Sequence, residues 1–248
     1  MTTHINPPFM NLNDFPCHLH DKGYGVLLPQ QLFDLSQIKH ADLQAFEASW
    51  HDLALDGYLK DGGRYRKRRH SCFVVEQTQV TQVPHRAHWQ PLVYNALHGG
   101  MERLFEPMDD AVTQSATWAK LLIALANLCH SAAQPQRWFV EAHQFRIDTA
   151  DGIGRPTPEG AHRDGVDFVA VLVVGRQGIK GGETRVFEAH GSNGQRFTLT
   201  QPWTVLFMDD EKVVHESTPI QPLSDYGYRD TLVLTFRKNG FQASNMSV

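Results

Sequence analysis

Cysteine is scarce in this chain: three in 248 residues, Cys17, Cys72 and Cys129, far apart and odd in number. That excludes a CxxC zinc or redox motif and a closed disulfide framework, and a chain of this length can bury a core without such staples. A basic excess is missing too. Lys and Arg number 23 against 27 Asp and Glu, a net charge of −4, so there is no cationic surplus to displace counterions from nucleic acid. Long apolar runs are absent: the longest, 121–126 and 168–174, fall far below the ~20 residues of a spanning helix, and the first 15 residues lack a basic start followed by an apolar stretch. A cytoplasmic protein working without nucleic acid or membrane is expected. No internal repeat or low-complexity linker divides the chain, which predicts one domain over 1–248, and nothing in it specifies an oligomeric state. Histidine, by contrast, is plentiful at 14, favouring imidazole and carboxylate over thiolate as metal ligands.

The two parts of the chain differ in texture. Residues 1–135 read as mainly helical support with one extended basic segment. Leu32, Leu35, Ile38, Leu43, Phe46, Trp50 and Leu53 recur at helical spacing, and Trp118, Leu121, Leu122, Leu125 and Leu128 do so within 110–133, ahead of Pro135. Residues 64–76 read as a strand, because Phe73, Val74 and Val75 suit a sheet better than a solvent loop. Residues 136–240 form a β-rich core: 138–147, 168–174, 183–187, 196–199, 203–207, 213–215 and 231–237 are β-branched or aromatic segments punctuated by turn residues. Such a series without helical periods predicts an antiparallel sandwich or barrel, an α+β chain with helices packed on a β core.

The sharpest local feature is His162-Arg163-Asp164-Gly165, just ahead of an apolar strand. On extended backbone, residues i and i+2 share a face, so His162 and Asp164 converge while Arg163 turns away. An antiparallel partner can bring His215 to the same point. Two imidazoles and a carboxylate on one face of an octahedral ion make the facial triad of non-haem Fe(II) oxygenases. Arg229 follows fourteen residues after His215, at the head of an apolar strand. A guanidinium there needs an anion and can grip a carboxylate bidentately, with the Thr231 hydroxyl on the same face.

H-x-D, a distal His and a later Arg resemble the signature of Fe(II)- and 2-oxoglutarate-dependent dioxygenases. More closely, residues 158–168 (PEGAHRDGVDF), 181–184 (GGET) and 228–234 (YRDTLVL) are similar to the bacterial subfamily that hydroxylates free L-amino acids, the group of the L-isoleucine dioxygenases. The resemblance covers roughly residues 58–240 and is densest after 138. It implies a double-stranded β-helix core of jelly-roll or cupin-like type. It also implies iron bound by His162, Asp164 and His215, and 2-oxoglutarate bound through Arg229. Fe(II), 2-oxoglutarate and O2 would be used, with ascorbate as reductant in vitro and a small free aliphatic L-amino acid of the isoleucine, leucine or methionine type as substrate. The same chemistry on another small metabolite or peptide, or a cupin-like metal-binding module, are the competing readings.

Candidate substrate contacts come from two further segments. Arg64, Arg66 and Arg68 share a face of the basic strand, from which one can reach a substrate carboxylate, although a solvated edge explains the run equally well. On 138–147, Glu141 and His143 share one face while Gln144 and Arg146 share the other, and all four are candidates for contacts with the substrate's amino or carboxylate group.

Overall fold

The computed structural model describes residues 5–134 and 137–244. A 3-10 turn at Leu12–Asp14 leads into α1 (Phe15–Lys22) and β1 (Tyr24–Leu27), then α2 (Pro29–Ser36) and α3 (His40–Ser49). The basic segment forms β2 (Arg66–Glu76), which turns into β3 (Gln79–Gln82). The helical pattern of 110–133 is two helices, α4 (Asp110–Thr113) and α5 (Ala116–Ala132). Ser115 separates them because its Oγ accepts the Trp118 N–H at 3.1 Å and so caps the second. Pro135 lies outside the described residues.

The remaining strands are β4 (Trp138–Asp148), β5 (Phe168–Gln177), β6 (Ile179–Gly181), β7 (Thr184–Glu188), β8 (Gly194–Phe197), β9 (Val205–Asp209), β10 (Val213–Ser217), β11 (Ile220–Pro222) and β12 (Tyr228–Arg237). They pair antiparallel in a seven-stranded sheet ordered β1-β9-β5-β12-β4-β2-β3, a three-stranded sheet β10-β7-β8 and a β11-β6 ribbon. This is the expected sheet-dominated core of a double-stranded β-helix. The N-terminal part supplies more than support, since β1, β2 and β3 all join the large sheet. β1, β3, β6 and β11, of three or four residues each, carry too little alternation to be read from sequence.

Strand alternation gives the large sheet two different faces. On one, Phe73, Ala170, Leu172, Phe207, Leu232 and Leu234 join Leu32, Phe46, Trp118 and Leu125 of the helices in one apolar core. On the other, Val169, Val173, Leu206 and Met208 meet Val186, Phe197 and Val213 of the small sheet. β12 therefore sends Leu232, Leu234 and Phe236 to the helices, while Arg229, Thr231, Val233 and Thr235 line the space between the sheets. The register of β12 against β5 slips between Asp230 and Thr231, a bulge at the point where the polar end of that strand begins.

Asp230, facing away from the pocket, is gripped by Arg146 through two bonds, Nε to Oδ1 at 2.8 Å and Nη2 to Oδ2 at 2.7 Å, both side chains under a tenth exposed. Arg146 also lies over the Tyr228 ring, 4.2 Å from its centroid. Removing one partner strands the other charge in the interior. Asp230→Ala should cost about 3–5 kcal/mol in urea unfolding, and the double variant Arg146→Met/Asp230→Leu clearly less than the single change; equal costs would show that the pair carries no such dependence.

Candidate iron centre and active-site pocket

His162 and His215 are joined by backbone before they are joined by chemistry. They form an isolated antiparallel bridge, His162 N–H to His215 O at 3.1 Å and His215 N–H to His162 O at 3.0 Å. The bridge sets their rings 4.6 Å apart between centroids. The Asp164 carboxylate stands across from both, Oδ1 3.9 Å from His162 Nε2 and Oδ2 4.0 Å from His215 Nε2. All three ligand atoms lie within 4.8 Å of one another. The His162 Nδ1–H donates to the Gly160 carbonyl at 2.9 Å, leaving the Nε2 lone pair aimed at the shared point. Burial, and after it the proximity of the second imidazole His162, holds His215 well below the usual imidazole range, so it presents a neutral ring. This donor set fits an Fe(II) ion with open positions.

The turn carrying Asp164 is itself clamped. Asp210 accepts the N–H groups of Asp164, Gly165 and Val166 at 3.0, 2.7 and 3.1 Å. Burial and then the Asp164 charge push its carboxyl up to about 7. Gly165 adopts φ 75°, and a Cβ there would run into the Tyr94 ring, so glycine is required after the ligand. Gln90 Nε2 donates to Asp164 Oδ1 at 3.0 Å, orienting the carboxylate.

Arg229 and Thr231 are buried at another part of the same pocket. Arg229 has an unpartnered Nε and no carboxylate bonded to it among the described residues. Burial, then the neighbouring Arg176, lower its pKa to about 10, the mark of a cation lacking its anion. Gly182, at φ 63°, lets the chain pass beside both arginines, where a Cβ would stand 2.9 Å from Arg176 Nη1.

A third wall comes from β2, β4 and the irregular segment between β3 and α4. Arg66 Nε bonds Asp56 at 2.7 Å, and Arg68 approaches the same carboxylate at 3.7 Å while its guanidinium lies 3.7 Å from the Phe105 ring centroid and 4.5 Å from that of Phe145. Behind this sit His70, His88, Glu141 and His143, whose ligand atoms also cluster within 4.8 Å. Their bonding is closed by protons. His70 Nε2–H and His88 Nδ1–H both donate to Glu141 Oε2, at 2.9 and 2.7 Å, and Arg68 Nη2 donates to His143 Nδ1 at 2.7 Å. A cation placed among them would face the Arg68 and Arg103 charges, so the group is better suited to bracing the wall than to holding metal. Burial holds His88, at about 4, and also His70 and His143 below the usual imidazole range. For Glu141 burial acts in the opposite sense, but His88 and His70 outweigh it and keep the carboxyl low.

Of the residues expected in the site, His162, Asp164, His215, Arg229, Thr231, Arg66 and His143 line one pocket, with Glu141 directly behind. Three lie elsewhere. Arg64 precedes β2 and is exposed, its backbone N–H bonded to Asp151. Gln144 and Arg146 occupy the opposite face of β4, where Gln144 donates to Ser49 and Arg146 pairs with Asp230, because alternation allows only one parity to face the pocket. Glu159, His88, Gln90 and Arg103 also line it and were not foreseen. His88 and Arg103 meet through an isolated bridge between irregular segments, which leaves no periodic trace. Glu159 lies three residues before His162, inside the motif but without a recognisable role.

A protein-family model, 2OG-Fe dioxygenase, matches residues 47–235, and the chain belongs to that family. It is accordingly a 2-oxoglutarate-dependent dioxygenase, using Fe(II), 2-oxoglutarate and O2, with His162, Asp164 and His215 as its candidate iron site. Among solved structures, it is 52% identical to a bsmA homologue from Methylobium petroleophilum PM1, covering 97% of this chain and 99% of that one with a TM-score of 0.90. IDO from Bacillus thuringiensis shares the fold at 15% identity, with 96% and 100% coverage and a TM-score of 0.75. The Fe(II)/(alpha)ketoglutarate-dependent dioxygenase TqaL does so at 17% identity, with 95% and 89% coverage and a TM-score of 0.71. No curated protein matches the chain. Among the described residues, no helix is long and apolar enough to cross a membrane.

Two outcomes follow from this geometry. Asp210→Ala leaves three N–H groups of the ligand turn without their acceptor, and should lower unfolding free energy by about 2–4 kcal/mol and Fe(II) affinity by about 10–100-fold in metal titrations. An imidazole kept neutral by burial contributes its stability in full above the ordinary histidine value of 6.5. It loses that contribution as pH falls, since the unfolded chain takes up a proton that folded His88 refuses until about 4. The unfolding free energy measured in urea should therefore fall by about 1.4 kcal/mol per pH unit on account of His88 as pH drops across that window. His88→Gln should remove one ring's share of the slope, and an unchanged slope would exclude His88 as a source.

Proposed function

We propose that this enzyme hydroxylates a small free aliphatic L-amino acid of the isoleucine, leucine or methionine type, releasing succinate and CO2. The observation that carries the reading is a pocket with two separate cationic places around one candidate iron site: Arg229 beside Thr231 on β12, and the Arg66/Arg68/Arg103 wall, whose Arg66 lies on β2 on the far side of Ile147 of β4. One suits the distal carboxylate of 2-oxoglutarate and the other the carboxylate of a second small acid. The resemblance of residues 158–168, 181–184 and 228–234 to free amino-acid hydroxylases supports the same substrate class.

In this reading His162, Asp164 and His215 hold Fe(II). Arg229 accepts the distal carboxylate of the co-substrate in its fork, and the Thr231 hydroxyl donates to the same group. When bound, iron and 2-oxoglutarate would activate O2, one of whose oxygen atoms enters the substrate C–H bond while the other enters succinate. The chain contributes placement and dryness: Gly160 and Gln90 orient two of the ligands, and Phe145, Val171 and Val233 give the pocket its apolar lining.

The test is succinate release with Fe(II), ascorbate and 2-oxoglutarate across all free L-amino acids, with mass detection of an added oxygen. His162→Ala and Asp164→Ala should abolish coupled turnover, and Arg229→Ala should raise the KM for 2-oxoglutarate by at least about 30-fold, as loss of a buried charged contact implies. Full coupled turnover in the His162 variant would refute the iron assignment. A panel in which no amino acid lifts succinate above the uncoupled background would refute the substrate.

A further inference from the structure

On the amino-acid reading above, two charged groups of the pocket besides Arg229 have no bonded partner of opposite charge among the described residues. Arg66 and Arg68 share Asp56, and Glu141 is satisfied by His70 and His88. Arg103 is different. It is 2% exposed, its Nη2 donates only to the neutral Gln90 amide at 2.9 Å, its Nε has no acceptor, and no carboxylate lies in ion-pair range among the described residues. Glu159 is its counterpart of opposite sign. Among the described residues its Oε2 is buried without a partner and its Oε1 approaches only His162 Nε2, at 3.7 Å; its side chain is 11% exposed.

Both line the same pocket, and each is placed relative to the candidate iron site through a different ligand. Gln90 Oε1 accepts from Arg103 while Gln90 Nε2 donates to Asp164, so one amide links the guanidinium to the carboxylate ligand. Glu159 stands beside His162, the first ligand. Glu159 lies near enough to favour the Arg103 charge, but no hydrogen bond or salt bridge joins the two, and buried charges without a bonded partner are unfavourable. Fe(II) held at His162 would offset part of the Glu159 charge without bonding its Oε2, and a simple monoanion would match Arg103 alone. A ligand carrying an anionic and a cationic group on adjacent atoms matches both.

We propose that Arg103 and Glu159 form a zwitterion clamp that selects free α-amino acids, Arg103 taking the α-carboxylate and Glu159 the α-ammonium. The clamp would hold the backbone end of the substrate so that the side chain alone is presented to the iron. It would exclude peptides and amides at the carboxylate end, and hydroxy acids and N-acylated amino acids at the ammonium end. Arg66 and Arg68, already shared with Asp56, then act mainly as the wall that keeps this part of the pocket cationic.

The experiment uses the Fe(II)-loaded enzyme and 2-oxoglutarate. Each amino acid among L-leucine, L-isoleucine and L-methionine that the unaltered enzyme oxidises is compared with its amide, its 2-hydroxy acid and its N-acetyl derivative. The unaltered enzyme should prefer the amino acid over each by at least 100-fold in kcat/KM. Glu159→Gln should raise the amino-acid KM by at least 10-fold and shrink the preference over the 2-hydroxy acid at least 10-fold, leaving the preference over the amide in place. Arg103→Met should do the reverse, with Arg103→Lys recovering part of the loss. The KM for 2-oxoglutarate and the iron content should stay within twofold in all three variants.

Amino-acid turnover with unchanged preference ratios in the variants would overturn the clamp and leave the proposed function standing. The clamp would equally be overturned if Glu159→Gln acted only by emptying the iron site. Failure of the unaltered enzyme to bind or oxidise any free amino acid would overturn both.

Discussion

The site depends on a single backbone contact, the two hydrogen bonds that pair His162 with His215. His162 lies in an irregular stretch ahead of β5 and His215 lies in β10 of the small sheet, so the bridge ties the loop to the sheet at the point where both imidazoles are needed. Asp164 is placed by the same connection, two residues beyond His162, and Asp210 holds its turn from below. Because these are main-chain bonds, the relative position of the two imidazoles follows from strand pairing rather than from side-chain contacts alone.

Around that centre the fold separates charges that are matched from charges that are not. On the helix-facing side of the large sheet, Arg146 and Asp230 satisfy each other. On the pocket side Asp56 serves two arginines, and Glu141 is held by two histidines. Arg229, Arg103 and Glu159 remain without equivalent partners. Unpaired buried charges are costly, which makes these three the candidates for contact with charged parts of small molecules.

Much of this could be read before any coordinates. Period-two alternation over 138–147 and the apolar runs of 168–174 and after Arg229 define long strands, and each is present as expected. The spacing of His162, Asp164, His215 and Arg229 was informative because facial coordination and a carboxylate clamp use those residue types, and their order resembles that of the dioxygenase family. Glu159 and Arg103 carried no such signal. Arg103 owes its place to the irregular chain between β3 and α4, and its bridge to His88 follows no local period. Arg64 shows the opposite failure: it shares a parity with Arg66 and Arg68 but falls before the strand begins, so parity alone did not carry it inward.

By itself, then, the sequence determined which residues share a strand face, where helices and strands alternate with turns, and which imidazoles and carboxylate could meet at an ion. These are local consequences of side-chain periodicity and ligand chemistry. Only the tertiary structure decided which face of β4 looks into the pocket, sending His143 inward and Gln144 and Arg146 away. It alone brought Arg103 and Glu159 to one cavity. The reason is physical: the inward face and the pairing of distant charges are fixed by sheet order and long-range contacts, which no short stretch of sequence contains.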